Sequence, residues 1–181
     1  MTLHEIILVA LGSSVIGSVL GSLLTQFFIW RRETANRKKR ASFLALRVAI
    51  SFERFVEKAV QDVWDINAVE EGYDERDGVG YPSEYPSFRT QDLPELADSW
   101  DALDTDLTTR AFDFIGLRDE QNQLMIEHWN EMGPPQSAEV QKDGTLRLAR
   151  QAAKIAKDLR VRYGLPTSSD GRRYFEALAK L

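Results

Sequence analysis

The sequence predicts an all-α protein: one N-terminal transmembrane helix continuing into a cytoplasmic helical bundle of about four helices. Three observations carry this. No stretch alternates apolar and polar residues at period two for long enough to make a sheet. From Ile6 to Trp30 the chain runs 25 residues without a charge. Beyond it, apolar residues recur at helical spacing through Leu44, Val48, Phe52, Phe55, Ala59, Val63 and Ile66. At 181 residues the chain is one domain of ordinary size, and 43% hydrophobic with 28% charged residues is a globular balance. With no cysteine, a disulfide scaffold, a zinc–thiolate site and a thiol nucleophile are excluded together.

The first segment, 1–30, reads as the anchor. A bilayer core of about 30 Å needs about 20 helical residues, which the uncharged run exceeds. Phe27, Phe28 and Trp30 suit the headgroup level, and the basic residues Arg31, Arg32, Arg37, Lys38, Lys39 and Arg40 follow at once. A cleaved signal peptide would carry its positive charge before the apolar stretch, where this chain has Glu5 and no Lys or Arg. The positive-inside rule then puts the short N-terminus outside a bacterial inner membrane and 31–181 in the cytoplasm.

Within this segment residues four apart lie above one another on a helix. Ser13, Gly17, Gly21 and Thr25 form one stripe of small residues, and Ser14, Ser18 and Ser22 lie along the next. Such stripes let helix backbones approach closely, so the segment is expected to self-associate. A ring of such helices would present Ser13, Ser14, Ser18 and Ser22 to a water path.

The basic juxtamembrane segment, 31–42, is expected to contact anionic lipid, where each positive charge is worth about 1 kcal/mol. The bundle occupies 43–181. Neither Gly nor Pro occurs between Ser22 and Glu71, so a first long helix is expected to run on from the anchor to near Val69. Residues 70–99 read as a long loop punctuated by Gly72, Gly78, Gly80, Pro82, Pro86 and Pro94. Asp74, Asp77 and Gly78 lack the spacing and closing Glu of a calcium loop. A second helix fits about 106–132, capped by Asp104 or Thr105, with Leu107, Phe112, Phe114, Ile115, Leu124, Met125, Trp129 and Met132 inward. Gly133-Pro134-Pro135 stops it. A third helix fits about 138–163, with Val140, Leu148, Ala152, Ile155, Ala156 and Leu159 inward, and ends at Gly164-Leu165-Pro166. A short last helix, capped at Ser168, Ser169 or Asp170, carries Tyr174, Phe175, Leu178 and Leu181.

The phrases RKKRASFLALRVAISFERFVE (37–57) and LRVRYGLP (159–166) resemble those of a group of small bacterial single-pass membrane proteins of unassigned function. The resemblance covers most of the chain and implies the same anchored helical architecture. It implies no chemistry.

The residues themselves offer little catalytic equipment. Nucleophilic catalysis needs a Ser, Thr or Cys beside a base. His128 is the one histidine of the expected bundle, and a helical ribonuclease would place an Arg where Gln121, Asn122 and Gln123 stand. Asp101, Asp104 and Asp106 complement a helix N-terminus without an ion. Glu127 and Glu131 lack the matching Glu-x-x-His pairs of a carboxylate-bridged metal site. The sequence calls for no cofactor, no metal and no enzyme.

Charge is more informative. Residues 1–40 carry six Lys/Arg against two Asp/Glu, while 41–181 carry 17 against 26. A domain so acidic excludes general nucleic-acid binding. Arg147, Arg150, Lys154 and Lys157 nonetheless make one basic helix face, which either stays solvated or pairs with the acidic helices, or else receives a phosphate-bearing ligand. The expectation is therefore a homo-oligomeric membrane effector, pore-like in the manner of defence or toxin proteins, controlled by its bundle. A tethered scaffold for a cytoplasmic protein partner is the alternative, and a hydrolase or ribonuclease centred on His128 the third.

Overall fold

The computed structural model describes residues 3–72, 100–167 and 169–181, and the side chains of 18–67, 100–133, 137–167 and 171–181. Every described element is helical: α1 (Leu3–Gly72), a 3-10 turn (Trp100–Ala102), α2 (Thr105–Met132), α3 (Pro134–Tyr163) and α4 (Ser169–Leu178). The chain divides into two compact units, Met1–Arg40 and Ala41–Leu181. Most of the expected loop, from 73 to 99, lies outside the described residues, and so does the cap residue Ser168.

Among the described residues no helix is long and apolar enough to cross a membrane. The transmembrane helix expected over 1–30 is corrected accordingly. The part of the uncharged run whose side chains are described, 18–30, is shorter than the ~20 apolar residues that a hydrocarbon core of about 30 Å needs. Gly21, Ser22, Thr25 and Gln26 dilute it, and Arg31 and Arg32 end it. The side chains of Ser13, Ser14 and Gly17 lie outside the described residues.

In the second unit, α1 from Ala41 onward buries the stripe the periodicity marks: Leu44, Val48, Phe52, Phe55, Val56, Ala59 and Val63. It shares one apolar core with Leu107, Ala111 and Phe114 of α2, Leu148, Ala152, Ala156 and Leu159 of α3, and Leu178 of α4. Phe114 sits edge-on to both Phe52 and Phe55, each at a 5.1 Å centroid separation. Edge-to-face geometry sets the positive rim of one ring against the negative face of another.

Helix α2 starts as expected. The Asp104 carboxylate accepts from the Asp106 N–H at 3.1 Å, satisfying one of the amides that the first turn leaves open. Its inner face differs from the expected one. Leu107, Ala111, Phe114, Gln121 and Met125 are buried, whereas Phe112, Leu124 and Met132 are exposed. Phe112 and Phe114 are two apart and cannot share a helix face. Phe114 takes the core, and Phe112 lies against Trp100 at 5.0 Å.

Helix α3 begins at Pro134, four residues before the expected start. Proline stops α2 but is well tolerated in a helix's first turn, where the N–H has no partner to lose. Gly133 makes the reversal at φ 77°, a backbone angle that L side chains rarely adopt. Gly164 ends α3 in the left-handed region, and Leu165 N–H returns to the Arg160 carbonyl at 2.9 Å.

The α2–α3 hairpin is antiparallel in a definite register. Asp104 N–H donates to the Tyr163 hydroxyl at 2.7 Å, and Arg110 donates to Asp158 at 2.8 Å. Further along, Gln121 packs over Gly144 so closely that a Cβ there would lie 2.5 Å from its amide nitrogen. A third helix locks onto the pair through Arg160. Its guanidinium donates to both carboxylate oxygens of Glu53 on α1, at 2.5 and 2.7 Å, and to the Pro166 carbonyl beyond the Gly164 cap. Arg160 and Glu53 are 6% and 7% exposed.

Burial also raises the Asp62 carboxyl above its ordinary value, with Lys58 opposing the shift and Asp65 adding to it. An acid whose folded value lies above its unfolded one makes folding less favourable as pH climbs from the unfolded value through the folded one. Asp62→Asn is therefore expected to gain stability over the parent between pH 4 and pH 7. Thermal melts of the two proteins should nearly coincide at pH 3.5 and separate by pH 7, with Asp62→Asn the higher.

Candidate functional site

The most distinctive surface of the first unit is the described end of its uncharged run. Val19, Leu20, Leu23, Leu24, Phe27, Phe28, Ile29 and Trp30 are all exposed, from 45% at Ile29 to 63% at Trp30. At about 100° per residue, Val19, Leu20, Leu23, Leu24, Phe27, Phe28 and Trp30 take one half of the helix. Ser18, Gly21, Ser22, Thr25 and Gln26 take the other, joined by Ile29. Phe27 stands edge-on to Phe28 at 6.0 Å and tilted to Trp30 at 6.3 Å, which makes an aromatic cluster just before the first arginine.

The small-residue half is also quiet chemically. The Thr25 hydroxyl donates to the Gly21 carbonyl at 2.8 Å, so this polar group is satisfied within its own helix. A Cβ added at Gly21 would meet nothing within 4 Å. Within one chain, then, Gly21 is under no packing demand to be glycine.

The basic cluster follows directly. Arg31, Arg32, Arg37, Lys38, Lys39 and Arg40 are all exposed, and none forms an ion pair among the described residues. Six unpaired cations on about three turns of helix make a strongly positive segment on a chain whose net charge is −5.

The second unit holds the other expected site. Arg147, Arg150, Lys154 and Lys157 are exposed along α3, again without ion pairs among the described residues. Among the described residues the pairing with acidic helices that would neutralise this basic face is not made. Opposite it, α2 carries Asp106, Asp113, Glu120 and Glu127 at seven-residue steps, all exposed, an acidic stripe that the sequence reading does not mark. An open groove of about 760 Å³ lies between the two helices. Arg110, Asp113, Gly116 and Glu120 of α2 line it with Gln151 and Lys154 of α3.

His128 is half-buried, and its Nδ1 is enclosed without a hydrogen-bond partner. Arg118, the nearest earlier arginine on α2, is engaged by Asp119 at 2.6 Å. No group of three or more His, Asp or Glu among the described residues is placed to hold a metal ion.

No protein-family model, no curated protein and no solved structure matches the chain.

Proposed function

We propose that the protein is a non-catalytic effector that binds a lipid bilayer and associates with its own copies through the apolar and basic segment 18–40. The observation that carries the reading is the order of surfaces along that segment. A half-cylinder of exposed apolar and aromatic side chains is followed at once by six unpaired cations. Exposed apolar surface of this extent is unfavourable in water and gains about 25 cal/mol per Å² when covered. An anionic leaflet covers it and neutralises the cations in the same step. The small half, left facing its like, lets the backbones of two copies approach closely. The bundle of the second unit then controls the assembly.

The test is flotation of the full chain with vesicles, beside its oligomeric mass in detergent. Binding is expected to vesicles containing phosphatidylserine, weakened by replacing Arg37, Lys38, Lys39 and Arg40 with Ser. The oligomer should be lost in the Gly17→Leu/Gly21→Leu variant. Because a side chain at Gly21 meets nothing in the single chain, a lost oligomer at unchanged helix content reports an interface between chains. No flotation with any vesicle sinks the reading. The tethered-scaffold alternative predicts binding to vesicles by a chain that stays monomeric in both forms.

A further inference from the structure

In the α2–α3 groove Arg110 meets Asp158 at 2.8 Å, but the opposite charges beyond that pair do not meet. The register in which Asp104 reaches Tyr163, Arg110 reaches Asp158 and Gln121 covers Gly144 brings Asp113 level with Lys154 and Glu120 level with Arg147. Asp113, Glu120 and Lys154 line one groove, yet neither of these level pairs closes as an ion pair. Beyond the Arg110–Asp158 pair the helices carry their charges outward, Asp113 and Glu120 on one ridge and Lys154 and Arg147 on the other, with a trough between them. The trough floor is open at Gly116, where an added Cβ would meet nothing, and it has apolar content in Phe112 and Leu117.

We infer that this face is a dimer interface whose occupant is the same face of a second copy. Charge complementarity under two-fold symmetry selects this occupant. A two-fold axis running along the groove lays each chain's α2 on its partner's α3. The acidic ridge then meets the basic ridge twice, Asp113 and Glu120 against the partner's Lys154 and Arg147. An axis across the groove would instead set α2 on α2 and repel. A closed two-fold contact needs such a self-complementary patch. The matched stretch ends at Asp143, where α3 turns acidic again.

The size fits as well. Two helices side by side are about 20 Å wide, and α2 from Thr105 to the level of Asp143 runs about 30 Å, so the matched face is about 600 Å². Two such faces bury about 1,200 Å² in all, the lower end of the range for a specific interface. The contact is carried by the second unit and is independent of segment 18–40, so its success or failure is read in the Gly17→Leu/Gly21→Leu background, where association through the first unit is removed.

In that background, sedimentation of the full chain in neutral detergent is expected to give twice the 20.6 kDa of one chain at low salt. Raising NaCl from about 0.05 to about 0.5 M should weaken the dimer about tenfold, because the Debye length shrinks. Asp113→Lys/Glu120→Lys alone should be monomeric, and so should Arg147→Glu/Lys154→Glu alone. Mixed together, these two variants should form a heterodimer, since each ridge then meets its opposite. All four positions are exposed, and unchanged helix content by circular dichroism excludes misfolding. A parent that stays monomeric at low salt overturns the proposal, as does a dimer indifferent to both charge reversals. Mixed variants that remain monomers overturn it too.

Discussion

Arg160→Ala is expected to cost about 3–5 kcal/mol of folding stability, the range for stranding one member of a buried ion pair. The reason lies in what remains. Glu53 is 7% exposed and sits on α1 among Phe52, Val56 and Ala49. Without the guanidinium, its carboxylate loses the cation from which both of its oxygens accept, in surroundings largely closed to water. The same truncation removes the donor to the Pro166 carbonyl, which fixes the chain after Gly164. Glu53→Ala should cost a similar amount, stranding the cation instead. The double variant Arg160→Met/Glu53→Leu should recover most of the loss, because no uncompensated charge is left. Urea unfolding followed by helix content checks all four proteins. Independent, additive losses in the single variants and in Arg160→Ala/Glu53→Ala would show that the pair does not act as a unit.

Phe114→Ala is expected to destabilise by about 3–5 kcal/mol, the usual cost of emptying a buried phenylalanine site. Phe114 is 5% exposed, and its ring supports two others, Phe52 and Phe55, so the cavity would open between α1 and α2. Phe114→Leu should cost far less, since it keeps much of the volume while losing both edge-to-face contacts. Phe112→Ala is the control. That ring is 37% exposed and lies on Trp100, so its loss should stay near ~1 kcal/mol, in the range of surface aromatic pairs. Chemical denaturation of the three variants should rank Phe114→Ala the most damaging and Phe112→Ala the mildest. Equal losses at 112 and 114 would contradict the packing.

These contrasts show what the sequence makes legible. Local rules are read directly. Asp104 is a good cap because a short carboxylate reaches the N–H two residues on, and Gly164 before Leu-Pro marks a left-handed stop. The apolar stripe of α1 from Leu44 to Val63 is set by spacing alone and is buried as spaced. What depends on a neighbour is not legible. Glu53 and Arg160 lie 107 residues apart, and nothing near either one announces a buried partner. Phe112 and Phe114 compete for one face, and only the position of α1 decides between them. The proline pair at 134–135 reads equally as an ending and as a beginning, and the chain uses it as both.

The candidate sites divide in the same way. The basic residues at 31–40 and along α3 are visible as residue types at a spacing. Their lack of internal partners is a fact of three dimensions, as is the acidic ridge facing the second set. The expected anchor rests on the absence of charge over 6–30, but hydropathy averages a segment that the described helix splits into a bulky half and a small half.

The notch at Gly144 has a wider consequence. On α3 the side facing α2 runs along Gly144, Leu148, Gln151, Ile155 and Asp158, one above another at three- and four-residue steps. A slide of one turn, about 5.4 Å, would press Gln121 onto Leu148 or Val140, where there is no notch to take it. It would also carry Asp113 from the level of Lys154 to that of Arg150 or Asp158. The notch thus works together with the Asp104–Tyr163 and Arg110–Asp158 hydrogen bonds in holding the two charged ridges in phase. The spacing of a surface that any second molecule would read is set from inside the hairpin, in part by an atom that is not there.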